Sequence, residues 1–182
     1  MRITGGKLKG ANIKCPKGVI RPAMDRMRES FFSILGNLEG KTFLDTFSGS
    51  ATVAIEAVSR GAKEVTLCER DTLKISTILN NVKITETRMN NKIVCKFQPV
   101  ELFLKRTKEQ YDIIFCDPPF PYKFHENLIK IISTYDLITD NGVVLIHYPG
   151  EKPMKDRIGN LIKTEKREYG RSTLGFYKKR LD

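Results

Sequence analysis

The chain has 182 residues, of which 40% are hydrophobic and 29% are charged. This length and composition suit one ordinary globular domain and exclude collagen, coiled coil and long-range disorder. No apolar run approaches the length of about 18 residues that a membrane span needs. The N-terminus lacks the apolar segment of a secretory signal, so a cytoplasmic location is expected.

The cysteines and histidines do not favour a metal site. Cys15, Cys68, Cys95 and Cys116 are widely spaced, and the chain has only two histidines. Zinc sites normally use closely spaced cysteine or histidine pairs. We therefore expect reduced thiols and no bound metal.

The net charge of +11 is concentrated at the two ends of the chain. Residues 1–40 hold 8 basic and 3 acidic side chains, residues 151–182 hold 10 and 5, and residues 41–150 hold 14 and 13. Basic ends around a nearly neutral middle favour a polyanionic partner such as a nucleic acid. A solvated basic surface that aids solubility is the alternative.

The N-terminal part of the chain is predicted to form a short hairpin or arm followed by a helix. Residues 1–20 combine four glycines with alternating isoleucine and lysine, which is typical of turns and short strands. Residues 25–35 carry apolar side chains at helical spacing, with Asp25 as an N-cap and Gly36 as the end.

After residue 41 the pattern alternates between apolar strands and helical segments, which predicts a mostly parallel sheet with helices on both faces. The predicted strands are 42–44, 65–68, 93–95, 113–116 and 143–146, and the predicted helices are 51–60, 72–85, 99–107 and 125–135. Two final apolar segments flank Gly170, at 161–168 and 173–179, and predict an antiparallel hairpin.

The first strand ends in Asp45 and continues into a loop of small residues, before a helix that begins near Ala51. Small residues let a ligand approach the backbone, and a helix N-terminus offers free N–H groups. The loop lacks the Gly-Lys-Ser/Thr ending of a phosphate-binding P-loop. An acid at the strand end favours a cation such as an ammonium group, although a plain connecting turn is the alternative.

The next strand ends in Glu69. In dinucleotide-binding folds, a carboxylate at this position accepts hydrogen bonds from the hydroxyl groups of a ribose. The alternative is an acidic side chain at the surface or at a helix cap.

The fourth strand continues directly into Asp117, Pro118, Pro119 and Phe120. Prolines have no N–H group, so their carbonyls act only as acceptors, and Asp117 adds a carboxylate acceptor. With the flat face of Phe120, this turn suits a planar group that carries N–H donors, such as the exocyclic amine of a nucleobase. A tight turn with a packed phenylalanine is the alternative.

Together these strand ends resemble class I, S-adenosylmethionine-dependent amino-methyltransferases, which combine Asp-Pro-Pro-aromatic with Asp-x-Phe-x-Gly-Ser and a following glutamate. Four segments also resemble the RsmD family, namely 2–10, 20–32, 44–61 and 169–177. RsmD-type enzymes methylate N2 of a guanine in bacterial 16S ribosomal RNA.

The resemblance implies a Rossmann-like, seven-stranded, mostly parallel sheet with an antiparallel C-terminal hairpin. An N-terminal hairpin and helix extension over 1–40 would contact RNA, and 41–182 would form the methyltransferase domain. The implied cofactor is S-adenosylmethionine, with S-adenosylhomocysteine as product. The implied partner is 16S ribosomal RNA, in the small subunit or in an assembly intermediate, and a monomer is expected.

The resemblance also implies roles for individual residues. Catalysis would use Asp117, Pro118, Pro119 and Phe120. The cofactor would contact Asp45, Thr46, Phe47, Gly49, Ser50, Glu69, Arg70, Gln98 and Asp117. Substrate RNA would contact Arg21, Arg26, Arg28 and Phe120.

The sequence departs from the family pattern at several of these places. Ala51 and Ala54 stand where the family has glycines, and an alanine fits such positions if its φ is negative. Weaker or reshaped cofactor contacts are therefore expected. Two hydroxyl groups of the family are lost at Ala23 and Met24, and Gln98 stands near the position expected to contact adenine.

Three other functions are also compatible with the sequence. A DNA amino-methyltransferase could use Asp-Pro-Pro-Phe for adenine N6 or cytosine N4, although the chain leaves little room for a target-recognition domain. A nucleic-acid-binding module that has lost catalysis is a second alternative, and a small-molecule methyltransferase is a third, disfavoured by the basic ends.

Overall fold

The protein is described from a computed structural model, which covers residues 1–16 and 22–180 and the side chains of all of these except 22–24. Its helices are α1 (Pro22–Leu35), α2 (Thr52–Ser59), α3 (Ile75–Met89), α4 (Val100–Arg106) and α5 (His125–Thr134). Its strands are β1 (Thr42–Thr46), β2 (Glu64–Cys68), β3 (Ile93–Lys96), β4 (Tyr111–Cys116), β5 (Ile138–Pro149), β6 (Arg157–Ile158), β7 (Leu161–Tyr169) and β8 (Ser172–Lys179). Over these ranges no helix has the length and apolar character needed to cross a membrane.

The strands form one sheet in the order β3-β2-β1-β4-β5-β8-β7-β6. The strands from β3 to β5 are parallel, and β8, β7 and β6 continue the sheet in antiparallel pairing. This confirms the predicted mixed α/β sheet and its C-terminal hairpin. The sheet has eight strands rather than seven, because a two-residue strand at the edge, β6, is too short to produce a periodic pattern.

Apolar side chains fill both faces of the sheet. Along β4, Phe115 faces a layer that contains parts of α1, α2 and α3, while Ile114 and Cys116 face a second layer under α4 and α5. Successive side chains of a strand point to opposite faces, so a strand covered on both sides reads as a continuous apolar run. That pattern made the central strands recognisable in the sequence.

The N-terminal arm is a short hairpin. Arg2 and Asn12 form an antiparallel bridge, and the Ile3 amide donates to the Ala11 carbonyl at 3.0 Å. Ile3 and Leu8 are buried in the same apolar layer as α1 and α2. The arm therefore shares a hydrophobic core with the sheet, and the division of the chain near residue 40 stays a prediction.

The C-terminal hairpin contacts α1. The hydroxyl group of Tyr169 donates a hydrogen bond to the Ser30 hydroxyl at 2.7 Å. Elements from the two basic ends of the chain thus lie next to one another.

One predicted helix begins later than expected. A 3-10 turn over Thr72–Lys74 precedes α3, and the Asp71 carboxylate accepts a hydrogen bond from the Leu73 amide at 3.0 Å. This side chain satisfies an amide at the start of the segment, which is the usual role of an aspartate before a helix.

Candidate active site

The parallel register brings the three predicted acidic strand ends to one edge of the sheet. The last residues of β1, β2 and β4 are paired side by side, so Glu69 and Asp117 follow at the same level, and Asp45 lies two residues before that level on β1 between them. The strand order reverses between β1 and β4, and ligands of open α/β sheets bind outside the strand ends at such a reversal.

Asp45 is fully buried beneath the loop that follows β1. Its Oδ2 accepts hydrogen bonds from the Ser48 hydroxyl at 2.9 Å and from the Ala54 amide at 3.1 Å. Burial raises the pKa of Asp45 to about 7, and the carboxylates of Asp117 and Glu69 add to the effect against those two hydrogen bonds. A cation near Asp45 would stabilise its charged form, so the residue suits an ammonium group.

The loop after β1 turns through left-handed backbone conformations. Phe47, Gly49 and Ala51 have φ values of 55°, 64° and 70°. A Cβ atom added to Gly49 would meet no atom within 4 Å, so the space beside this residue is open to a ligand. Ala51 does not have the negative φ that would make an alanine easy to accommodate, because it sits in the left-handed region at the start of α2.

The strain at Ala51 can be measured against a matched alanine. Ala51 and Ala54 are both fully buried, but Ala54 lies inside α2. Ala54→Gly is expected to lower the free energy of unfolding by about 2 kcal/mol, through a lost methyl group and a lower helix propensity. Ala51→Gly is expected to change it by less than about 1 kcal/mol, because relief of left-handed strain offsets the lost methyl. Urea unfolding measures both losses, and a loss of more than about 1 kcal/mol in Ala51→Gly would show that the strain is absent.

Glu69 links the ends of β1 and β2. Its Oε2 accepts a hydrogen bond from the Gly49 amide at 2.8 Å, and its Oε1 accepts one from the Asp71 amide at 3.0 Å. Each carboxylate oxygen retains a further lone pair, so Glu69 can still accept hydrogen bonds from a pair of ribose hydroxyls. Arg70, which follows it, is exposed.

The Asp-Pro-Pro-Phe turn leaves acceptor atoms for a substrate. The Tyr122 amide donates to the Pro119 carbonyl at 2.9 Å, so that carbonyl is used within the turn. No backbone amide in the described part of the chain donates to the Pro118 carbonyl. Asp117 is mostly buried, and one of its oxygens, Oδ1, lies 2.8 Å from Nδ1 of His147.

Aromatic side chains lie near the carboxyl ends of β1 and β4. Phe120 is 74% exposed, and Phe124 is 61% exposed. Tyr122 packs edge-on against Phe47 and Phe124, with ring centroids 5.3 and 5.7 Å away. The sequence predicted Phe47 and Phe120 here but missed Tyr122 and Phe124, which follow the turn without a recognisable spacing.

Two other predicted cofactor contacts have side chains with partners inside the protein. The Thr46 hydroxyl donates to the Phe115 carbonyl at 2.8 Å inside the sheet, and Thr46 is fully buried. Its hydroxyl group is therefore used inside the sheet, and the contact between Thr46 and the cofactor stays a prediction. The Ser50 hydroxyl lies 2.5 Å from the Thr52 hydroxyl.

The arginines predicted to contact RNA differ in their surroundings. Arg26 is exposed on α1 and keeps its predicted role as a candidate. Arg28 is fully buried and pairs with Glu56 and Asp25, so the prediction that it contacts RNA phosphates is wrong. The helical spacing did not reveal this, because a buried acidic partner comes from a distant segment. Arg21 lies outside the described residues.

Gln98 lies beside the end of β2, where its backbone carbonyl accepts a hydrogen bond from the Cys68 thiol at 3.3 Å. It lines a groove of about 650 Å³ that runs along the outer face of β2 and β3. Asp45, Glu69 and Asp117 do not line this groove, so the strand ends rather than the groove define the candidate site. The contact between Gln98 and an adenine stays a prediction.

Comparisons with known proteins agree with this geometry. The family model described as "Conserved hypothetical protein 95" matches residues 1–178. The chain is 30% identical to "Putative rRNA methyltransferase YlbH" of Bacillus subtilis over 183 residues, which cover 99% of this chain and 100% of that protein. It is 27% identical to "Ribosomal RNA small subunit methyltransferase D" of Haemophilus influenzae over 158 residues, covering 85% of this chain and 81% of that protein.

A solved structure shows the same fold. "Putative methyltransferase yhhF" from Escherichia coli superposes with a TM-score of 0.86 at 24% identity, covering 100% of this chain and 99% of that one. The strand order, the loop after β1 and the Asp-Pro-Pro-Phe turn thus define a class I methyltransferase fold. The chain belongs to the family described as Conserved hypothetical protein 95, the RsmD family, which confirms the resemblance found in the sequence.

Proposed function

We propose that this protein transfers a methyl group from S-adenosylmethionine to the exocyclic N2 of a guanine in small-subunit ribosomal RNA, acting as a cytoplasmic monomer. The observation that carries the proposal is the Asp-Pro-Pro-Phe turn at the reversal of strand order. There, the acceptors Asp117 and Pro118 lie beside the exposed ring of Phe120. The names of the relatives support ribosomal RNA as the substrate class.

The acceptors of this turn match the donors of an aromatic amine. The lone pair of guanine N2 is delocalised into the ring, so N2 is a weak nucleophile that must be well oriented. Asp117 Oδ2 and the Pro118 carbonyl would accept its two N–H bonds and direct the lone pair toward the methyl group. Orientation of this kind contributes up to about 7–11 kcal/mol to lowering a barrier. Phe120 would stack on the base.

The cofactor residues fit S-adenosylmethionine. When bound, this cofactor supplies a methyl group on a positively charged sulfur. Glu69 offers free lone pairs to the ribose hydroxyls, and Asp45 offers a buried carboxylate to the ammonium group. The open space beside Gly49 lets S-adenosylmethionine approach the backbone of the loop. Once N2 carries the methyl group and both of its protons it is a cation, and this cation is acidic enough to lose one proton to water without a strong base.

Exposed cations are present on α1 and on the N-terminal arm. Arg26 is exposed on α1, and Lys7 and Lys9 are exposed on the N-terminal arm. Contacts from such side chains to phosphates supply much of the affinity for nucleic acids. A paired guanine must first leave its stack, at a cost of a few kcal/mol, before it reaches a buried site.

The proposed function is tested by methyl transfer from radiolabelled S-adenosylmethionine to small ribosomal subunits from cells that lack this protein. We expect label in 16S ribosomal RNA, recovered as N2-methylguanosine after digestion to nucleosides. Recovery as N6-methyladenosine, or label in DNA instead of RNA, would favour the DNA-type alternative and contradict the proposal. Naked 16S RNA and assembly intermediates, assayed in parallel, identify the form of the substrate.

The raised pKa of Asp45 predicts a pH-dependent cofactor affinity. An ammonium group favours the charged carboxylate, so at a pH below about 7 binding must first remove the proton from Asp45. The affinity for S-adenosylmethionine is therefore expected to increase by up to about tenfold per pH unit between about pH 5.5 and 7, and to level off above. Isothermal titration calorimetry measures this.

Two controls isolate Asp45 in that experiment. Asp45→Asn removes the titrating group and should give a nearly constant affinity over the same pH range. Methylthioadenosine lacks the ammonium group and should bind the wild-type protein with little pH dependence. A slope that persisted in Asp45→Asn would assign the proton to another residue.

A further inference from the structure

We propose that His147 is a positioning residue for methyl transfer, holding Asp117 so that its second carboxylate oxygen faces the substrate amine. This inference rests on the proposed function. His147 lies on β5, outside every motif that the sequence suggested, and the Asp-Pro-Pro-Phe turn alone gives no reason to expect a histidine there.

The strand register brings the two residues together. Cys116 of β4 pairs with Ile146 of β5 in parallel register, so Asp117 and His147 follow at adjacent positions. Both strands alternate in the same phase, because Cys116 and Ile146 face the same apolar layer. The next side chains therefore emerge on the same face of the sheet, side by side.

The hydrogen bond between them is short and shielded from water. Nδ1 of His147 lies 2.8 Å from Oδ1 of Asp117, and the two side chains are only 15% and 13% exposed. In the described part of the chain, this is the one hydrogen bond that the imidazole ring makes. Nε2 is buried and has no partner there.

The surroundings of the ring determine which nitrogen carries the proton. A buried N–H group without an acceptor is costly, whereas a lone pair without a donor is tolerated more easily. The neutral ring is therefore protonated on Nδ1 and donates to Asp117. A carboxylate that accepts at Oδ1 has its rotation fixed, and Oδ2 is then presented on the other side of the group.

The arrangement explains how one aspartate keeps its orientation at the end of a strand. Pro118 and Pro119 have no N–H group to donate, and the described residues provide no hydrogen bond to the carboxylate of Asp117 other than the one from His147. Without that donor, no hydrogen bond from the described residues would fix the rotation of the carboxylate. Methyl transfer depends on alignment of the nucleophile, so loss of orientation lowers kcat more than it changes binding.

Two variants of similar shape separate hydrogen bonding from packing. His147→Asn retains an N–H donor close to the position of Nδ1, while His147→Leu has nearly the same shape as asparagine and no donor. We expect kcat of His147→Leu to be about 10- to 100-fold below wild type, as for loss of a hydrogen bond to a charged group. Its KM values should stay within about threefold, and His147→Asn should recover most of kcat.

The ratio of kcat between the His147→Asn and His147→Leu variants tests the proposal. Equal kcat values for the leucine and asparagine variants, whether both high or both low, would overturn the proposal, because donation would then make no difference. A fall in kcat accompanied by an equal rise in KM would also overturn it.

A measurement without methyl transfer tests the pair independently of the proposed function. Nitrogen-15 NMR of the imidazole rings distinguishes the two neutral forms of histidine. We expect His147 to be protonated at Nδ1 in the wild type and to lose that preference in Asp117→Ala. Protonation at Nε2 in the wild type would overturn the proposal, even if the enzyme methylates RNA. An inactive wild type with protonated Nδ1 would instead count against the proposed function alone.

Discussion

Asp117→Ala is expected to lower kcat for methyl transfer by about 10²- to 10³-fold at saturating cofactor. The variant removes the carboxylate that would accept an N–H bond of the substrate amine, while Pro118 and Phe120 remain. Methyl transfer to small subunits under single-turnover conditions gives the rate directly. The affinity for S-adenosylmethionine, measured by calorimetry, should change much less, because Asp45 and Glu69 are retained.

A conservative variant and a control variant accompany Asp117→Ala. Asp117→Asn keeps an acceptor oxygen at the same place and should lie between the wild type and Asp117→Ala in rate. Asp112→Asn changes an aspartate at the other end of β4, where its carboxylate bonds Thr42 and Thr139, and it should leave kcat unchanged. Wild-type transfer by Asp117→Ala would show that the proposed mechanism is wrong.

The sequence revealed those features of the site that depend on one continuous segment. The apolar run before Asp117 and the prolines after it locate a strand end without knowledge of any neighbour. The same holds for Glu69, and parallel pairing then brings both residues to one edge of the sheet. The fold class could be predicted because strands buried on both faces produce apolar runs that alternate with helical spacing.

Features that depend on contacts between distant segments could not be predicted. Arg28 has the spacing of a surface residue on α1, yet a glutamate of α2 pairs with it in the core. His147 acquires its role from the register between β4 and β5, which the sequence does not specify. The left-handed conformation of Ala51 follows from the loop closing onto α2, where alanine would ordinarily avoid it.

The buried ion cluster that holds Arg28 also joins the N-terminal arm to the sheet domain. Glu56 on α2 is fully buried, and its Oε1 accepts hydrogen bonds from the Thr4 amide at 2.5 Å and from Arg28 Nε at 3.3 Å. Arg60 lies 3.5 Å from its other oxygen. One carboxylate thus serves the arm and two helices, all on the apolar layer that supports β1.

Glu56→Ala is expected to lower the free energy of unfolding by about 3–5 kcal/mol, because it leaves the fully buried guanidinium of Arg28 without its buried partner. Urea unfolding measures the loss. Asp25→Ala is the matched control: Asp25 also pairs with Arg28, at 3.0 Å, but it is 49% exposed, so the expected loss is at most about 1 kcal/mol. Equal losses in the two variants would mean that burial of the pair does not determine its strength. Since the same cluster fixes the arm, Glu56→Ala should also expose the arm to proteolysis at a urea concentration that leaves the Asp25 variant intact.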